Sequence, residues 1–171
     1  MIDFVANKGL IKYSKEFGFS NIYSVDELNF IEGKDDNTNR RALESKNTDV
    51  LFGIEKFRNN DRHHFRDSGL NQVLCKLANK NKIKIGFSFR DVLNSDGEER
   101  ARILGRMLQN IRLCNKYKVG IVIASFAKSK HELKGNKDLV AFGRLIGANK
   151  IWNENIDNFY KEEDFTVKQI K

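Results

Sequence analysis

A chain of 171 residues, 40% of them apolar and 13 of them Phe, can bury a sizeable core, which excludes disorder over most of its length. Lys and Arg number 31 against 23 Asp and Glu, and the formal charge of +8 favours a polyanionic partner without identifying it. No run approaches the ~18 apolar residues of a membrane span, and the opening MIDFVANKGL has no charged segment followed by a hydrophobic one, so neither membrane contact nor export is expected. Cys75 and Cys114 each fall inside an apolar helical pattern and are expected as core thiols, which fits a reducing, cytoplasmic compartment.

Proline is absent, so every loop must turn on Gly, Asn, Asp or Ser. With no repeat, linker or compositional boundary, the simplest division is one domain over residues 1–171. Met1 to Val5 is a first strand candidate, and Lys8 to Phe17 a short helix with Gly18 at its C-cap. Asn21 to Val25 and Leu28 to Ile31 are two further strand candidates separated by Asp26 and Glu27. A parallel crossover needs about a dozen residues, so one of them is not a strand, or the pair is antiparallel, or a βα unit has been lost. Asp36 to Glu44 is a polar helix and Asp49 to Ile54 an apolar strand. After a polar loop, Leu70, Val73, Leu74, Leu77 and Ala78 form one face of an amphipathic helix.

Ile83, Ile85 and Phe87 mark the next strand, and the Ser95-x-x-Glu98 capping box sets the start of the helix that follows. On that helix Leu104, Met107, Leu108, Ile111 and Cys114 share one arc, and Arg102, Arg106, Arg112 and Lys116 occupy the opposite one. Val119 to Ala124 is another buried strand. Asn136 caps a helix with Leu139, Phe142, Leu145 and Ile146 facing inward, ended by Gly147. A final helix around Trp152, Ile156, Phe159 and Tyr160 leads to a charged tail, 161–171. From Asp49 onward strands and helices alternate, which predicts an α/β fold with a mainly parallel sheet. No G-x-G-x-x-G follows a strand, so the preferred closure is a shortened TIM-barrel-like (β/α) fold, incomplete in its N-terminal half.

In such a fold function gathers where strands end and helices begin. Arg90 follows the strand ending at Phe87. Arg100 falls on the apolar arc of its helix, which a charge tolerates only at the helix end, pointing at the rim or at a partner. Ser88, Arg90, Arg100, Ser125 and Lys128 are therefore candidates for phosphate or RNA backbone contact around one mouth. The competing reading is an internal ion pair, Arg90 or Arg100 with Asp91, Asp96 or Glu99. The arc Arg102, Arg106, Arg112, Lys116 is a secondary basic face, and the loop with Arg58, Arg62 and Arg66 has similar status. His63 and His64 lack a third ligand, so no metal site is expected, and His131 reads as a surface residue. With no H-E-x-x-H, G-x-S-x-G or P-loop, no catalytic residue is assigned and a binding subunit is favoured.

DVLFGIEKF, DSGLNQVLCKLANKNKIKIGFSFRDVL, ERARILGRMLQNIRLCNKYKV, IVIASFAKS and KDLVAFGRLIG, in that order, resemble successive blocks of RNase P protein component 3, the thirty-kilodalton subunit family of archaeal and eukaryotic ribonuclease P. The resemblance covers Asp49 to Gly147 well and Asp36 to Glu44 more loosely. It implies a TIM-barrel-like fold used as a protein cofactor in the ribonucleoprotein that removes the 5′ leader of precursor tRNA. Catalysis there belongs to the RNA subunit with Mg²⁺, so the chain itself is expected to hold no cofactor. The implied partners are the RNase P RNA, RNase P protein component 2, other RNase P protein subunits, and precursor tRNA as holoenzyme substrate.

On matching positions the strand-end motif is Gly86, Phe87, Ser88 and Arg90, the helix-start basic position is Arg100, and the later strand-end motif is Ser125 and Ala127. The pattern departs at Asp91, where the family usually has Pro, and at Lys137, where Arg is common; the N-terminal half is also short for all the family's βα units. Two alternatives remain at this point: a metal-dependent phosphoesterase on a related barrel, and a generic RNA-binding barrel acting outside RNase P.

Overall fold

A computed structural model describes residues 1–57, 61 and 66–155. Strands β1 (Ile2–Val5) and β2 (Asn21–Ser24) pair in parallel, with Ile2 opposite Asn21 and Val5 opposite Ser24. Strands β3 (Phe30–Glu32), β4 (Val50–Phe52), β5 (Lys84–Ser88) and β6 (Ile121–Ala124) form a parallel sheet in chain order. Helices α1 (Asp36–Glu44), α2 (Gln72–Lys80), α3 (Phe89–Leu93), α4 (Gly97–Tyr117) and α5 (Asn136–Leu145) lie between or after these strands.

The two sheets meet along a seam between β1 and β6. At its upper end the Phe126 N–H donates to the Phe4 carbonyl and the Ala6 N–H to the Ala127 carbonyl, both at 2.9 Å. The Asp3 carboxylate accepts from the Ser125 N–H at 2.7 Å and from its hydroxyl at 2.5 Å. Lower down, the Asn153 amide substitutes for a missing strand ladder. Its Nδ2 donates to the carbonyls of Ile2 (2.8 Å) and Ile123 (2.7 Å), and its Oδ1 accepts from the Ile123 N–H at 3.1 Å. Strand pairing plus this seam places the strands in the order β2, β1, β6, β5, β4, β3. Among the described residues no ladder joins β2 to β3, so a closed barrel is not shown.

The period-2 alternation of each strand separates two cores. Leu51, Ile85, Phe87, Ile121 and Ile123 face Leu43, Leu74, Met107, Ile111 and Leu139 from the helices. Ile2, Phe4, Val50, Phe52, Val122 and Ala124 face the other way, with Leu28, Phe126 and Trp152. On that side the sheet curls enough for Phe4 and Phe30 to meet, ring centroids 4.7 Å apart, while Phe52 and Phe126 stack at 4.3 Å. Gly86 makes this stack possible, because a Cβ there would lie 2.8 Å from the Phe52 Cβ and 3.3 Å from the Phe126 ring.

Several expectations shift. Both crowded segments of the N-terminal half are strands, in separate ladders and linked by a 3-10 turn, Val25–Glu27, with Leu28 and Asn29. The helix expected from Lys8 is a 3-10 turn, Lys8–Tyr13, although Gly18 does adopt a left-handed φ of 72°. The expected capping box fails: Asp96 is the N-cap of α4, and the Ser95 hydroxyl instead donates to the Val92 carbonyl at 3.1 Å. Residues expected on apolar faces are exposed at Val73 (61%) and Leu145 (82%), because α2 and α5 each bury a narrower stripe than the pattern suggested. Trp152–Glu154 is a 3-10 turn, and Ile156, Phe159, Tyr160 and the tail lie outside the described residues. Cys75 and Cys114 are buried, free thiols, as expected.

Candidate nucleic-acid interface

The rim at the C-terminal ends of the strands brings together Ser88, Arg90, Ser125 and the loop of Lys128. Ser88 ends β5 and caps α3, its hydroxyl accepting from the Asp91 N–H at 3.3 Å. The segment after Phe87, expected as a loop, is thus the short helix α3. Arg90 is 8% exposed; its N–H donates to the Ser125 carbonyl at 3.1 Å, and its Nη1 donates to the Phe126 carbonyl at 2.8 Å. Phe126 is turned to meet these partners with φ of 48°, a left-handed conformation that a side chain with a Cβ adopts only when its surroundings impose it.

Arg90 Nη2 also lies 3.5 Å from Asp91, which lies 3.2 Å from the Lys56 ammonium, itself 2.7 Å from Glu32. The internal ion-pair reading therefore describes Arg90, and Asp91 lies between two cations. Burial raises the Glu32 carboxyl, but the Lys56 hydrogen bond and charge, with Arg90 and Lys128 behind them, outweigh it and hold Glu32 below its ordinary value. Asp3, beneath the rim, is pushed up to about 6 by burial against its Ser125 hydrogen bonds. The Lys128 N–H donates to Glu132 at 2.6 Å, and the Lys128 side chain is exposed.

Arg100 belongs to a different local structure. Its Nε donates to the carbonyls of Ser95 (2.7 Å) and Val92 (3.1 Å), and its Nη2 to that of Leu93 (3.5 Å). Those carbonyls lie at and beyond the end of α3, where helix geometry leaves acceptors without partners. Arg100 thus clamps the α3 to α4 turn, in place of the acidic partners suggested for it.

The secondary basic face divides. Arg112 and Lys116 are exposed and Arg102 is half-buried, but Arg106 is 1% exposed and does not belong to a solvated face. Its Nε donates to Asp61 at 2.8 Å and its Nη1 to the Glu55 carbonyl at 2.9 Å. Beside it, Asn110 donates to the Ser68 carbonyl at 2.9 Å and Arg66 to the Gly105 carbonyl at 2.9 Å. This side of α4 therefore holds Glu55, Asp61, Arg66 and Ser68. Arg58, Arg62, His63 and His64 lie outside the described residues, and His131 is exposed. Among the described residues no three of His, Cys, Asp and Glu converge as a metal site.

Two rim residues went unnoticed in the sequence. Lys56 follows a strand end as any loop lysine does, with no local sign of its acidic partners. Asp3 did carry a signal, a carboxylate inside the apolar run IDFV.

Comparison with known proteins places this geometry in a family. Ribonuclease P protein component 3 of Methanocaldococcus jannaschii is 34% identical over 135 residues, which cover 79% of this chain and 55% of that protein. The component 3 of Methanosarcina mazei is 36% identical over 124 residues, covering 72% of this chain and 48% of that one. The chain therefore spans about half the length of the curated relatives it matches. A chain in the cryo-EM structure of archaeal ribonuclease P with mature tRNA superposes with a TM-score of 0.70 at 25% identity, over 94% of this chain and 78% of that one. The model of the RNase P subunit p30 family matches residues 12–156, a span that contains five of the six strands and all of the helices described above. The chain belongs to the RNase P subunit p30 family.

Proposed function

We propose that this chain works as a protein subunit of a ribonuclease P, supporting the RNA subunit that removes the 5′ leader of precursor tRNA. The observation that carries the reading is agreement at two levels: the family match runs across residues 12–156, and the fold matches a chain within an archaeal ribonuclease P structure. In this reading the chain pairs with protein component 2 and with other RNase P subunits, in the cytoplasm. Mg²⁺ serves the RNA, which performs the hydrolysis.

The chain's own contribution is shape. Arg90 ties β5 to the Phe126 turn, Asp3 and Ser125 tie β1 to β6, and Arg100 fixes the turn into α4. These residues act by positioning the strand-end loops for assembly. Reconstituted cleavage of precursor tRNA, with and without the chain, tests the reading; an unchanged rate and Mg²⁺ requirement on omission would refute it. In the same assay Arg90→Ala or Arg100→Ala lowers assembly more than Arg112→Ala does, because Arg112 is exposed and holds no loop among the described residues. Equal, small effects at all three positions would remove the rim's role.

A further inference from the structure

Cys75 and Cys114 are the two cysteines of the chain, and the fold brings them together inside one core. Cys75 belongs to the stripe Leu74, Cys75 and Ala78 that α2 buries, and Cys114 to the stripe Met107, Ile111 and Cys114 of α4. The two helices pack against each other, and polar contacts fix their register. Asn110 donates to the Ser68 carbonyl at 2.9 Å, and the Tyr117 hydroxyl donates to Gln72 Oε1 at 3.1 Å. On α4 these contacts flank Cys114 on both sides, and on the other chain segment they lead directly into the turn that carries Cys75.

Held in this way, the thiols of Cys75 and Cys114 share a hydrogen bond, and neither residue is exposed. That bond holds the Cys75 thiol below its ordinary value against the effect of burial, while the same neighbour and burial push the Cys114 thiol up. One sulfur is the readier thiolate and the other keeps its proton, which is the asymmetry of an attacking and a resolving cysteine. Among the described residues no third His, Cys, Asp or Glu converges on the pair, so it lacks the ligand set of a zinc site. The sulfurs of a disulfide lie ~2.05 Å apart with Cβ atoms ~3.8 Å apart, and thiols already in contact reach that geometry by side-chain rotation and a slight approach of the helices.

We propose that Cys75 and Cys114 form a reversible redox pair, closed by a hydroperoxide to a disulfide that cross-links α2 to α4 and reopened by a dithiol. The Cys75 sulfur attacks one oxygen of the hydroperoxide; an S–O bond forms, the O–O bond breaks, and the hydroxide that leaves takes the Cys75 proton. The Cys114 sulfur then attacks the Cys75 sulfur; the S–S bond forms, the S–O bond breaks, and the second hydroxide takes the Cys114 proton. Two thiols and one hydrogen peroxide become one disulfide and two waters, the sulfurs being oxidised and the peroxide oxygens reduced. Cys114 lines a pocket of 330 Å³ between the end of α4, the start of β6 and the segment leading to Trp152, which a hydroperoxide is small enough to enter. Since both sulfurs are buried, the last step of access is local opening of the nine-residue α2, and re-forming of that helix shields the product. The cross-link fastens α2 to the helix that already holds Glu55, Asp61 and Ser68. Neither the rim nor RNA takes part, so the pair stands apart from the proposed role in ribonuclease P.

The test treats the full chain, reduced and then freed of reductant, with hydrogen peroxide at neutral pH. A digest made without reductant should yield the Cys75 and Cys114 peptides joined, lighter than their sum by two hydrogen atoms. Thiols titrated in denaturant should fall from two to none, the protein should stay monomeric on a non-reducing gel, and dithiothreitol should restore both thiols. Closing a loop of about 40 residues without distorting the fold should raise the melting temperature by about 10 °C. Cys75→Ala and Cys114→Ala, each compared with itself before and after peroxide, should show no such rise. The wild-type measurements stand alone if either variant fails to fold. Thiols that stay titratable, sulfinic acid at either cysteine in place of the linkage, a disulfide between chains, or a melting temperature that does not rise on oxidation each overturns the proposal.

Discussion

Replacing Glu55 by Gln should stabilise the protein, and by an amount that grows with pH. Glu55 follows β4 in the 3-10 turn Ile54–Lys56, is fully buried, and neither of its carboxyl oxygens has a hydrogen-bond partner among the described residues. Burial pushes the carboxyl up from 4.5 to about 8, and the neighbouring Asp91 charge adds to the rise. The folded protein therefore binds more protons at this site than the unfolded chain between those two values, and stability falls as pH rises through that window. At 1.36 kcal/mol per pH unit the loss reaches about 5 kcal/mol above pH 8, against a typical total of ~5–15 kcal/mol.

The amide that Glu55→Gln introduces is neutral at every pH, and it is as unpartnered as the protonated acid, so the solvation costs of the two nearly cancel near pH 4.5. The stability difference, variant minus wild type, should thus be near zero at pH 4.5, rise through neutrality, and level off above pH 8. Urea denaturation of both proteins from pH 4.5 to 9 measures it, with a common slope m confirming that the same surface unfolds. A difference that is flat with pH would refute the reasoning.

Other substitutions test the seam and the helix contacts. Asn153→Asp keeps the size of the side chain but removes the donor to Ile2 and Ile123, and should cost about 3 kcal/mol, since it leaves buried acceptors facing a carboxylate; an unchanged melting temperature would show that the seam does not depend on that amide. Gly143→Ala and Gly105→Ala form a contrasting pair on helices. At Gly143 a Cβ would lie 2.6 Å from the Ile151 Cδ1 and 2.9 Å from the Ile123 Cγ1, so overpacking should cost about 1–3 kcal/mol in thermal unfolding. At Gly105 it meets the flexible Arg66 guanidinium at 2.7 Å, which can move away, and a helix propensity gain of about 1 kcal/mol should offset the lost Arg66 bond. Equal destabilisation at the two sites would contradict this assignment of rigid and flexible neighbours.

Much of the fold was legible where one residue's local role agreed with its place in the whole. The helix Asp36–Glu44 appears with its expected bounds because Asp35 caps it through the N–H groups of Asn37 and Thr38. The strand through Ile85 and Phe87 alternates as a buried strand should. Arg106 shows where that agreement ends. Its position on a charged arc looks like solvent exposure, yet Asp61 and the Glu55 carbonyl meet its guanidinium, and both come from a stretch with no periodicity to reveal the contact. The strand ends do bring Ser88, Arg90 and Ser125 together, with Arg100 apart from them, and the electrostatics of that rim depend on distant partners. Nothing near Arg90 in sequence indicates that its guanidinium will hold the Phe126 carbonyl, or that Asp91 will be shared with Lys56 from 35 positions earlier.

The amide of Asn153 has a kinetic consequence. Its bond to the Ile2 carbonyl spans 151 positions, whereas β4, β5 and β6 pair through separations of a few tens of residues. Loop closure of that length comes late, because its entropy is lost before the contact returns anything. The β3 to β6 sheet can form while the chain is still short of its end. The β1 and β2 pair gains its first hold on β6 through Ser125, Phe126 and Ala127, and the Asn153 amide completes the seam last. Amide exchange during refolding should accordingly protect Lys84 and Ile85, whose N–H groups donate to the Asp49 and Gly120 carbonyls, before Ile123, whose N–H donates to the Asn153 side chain.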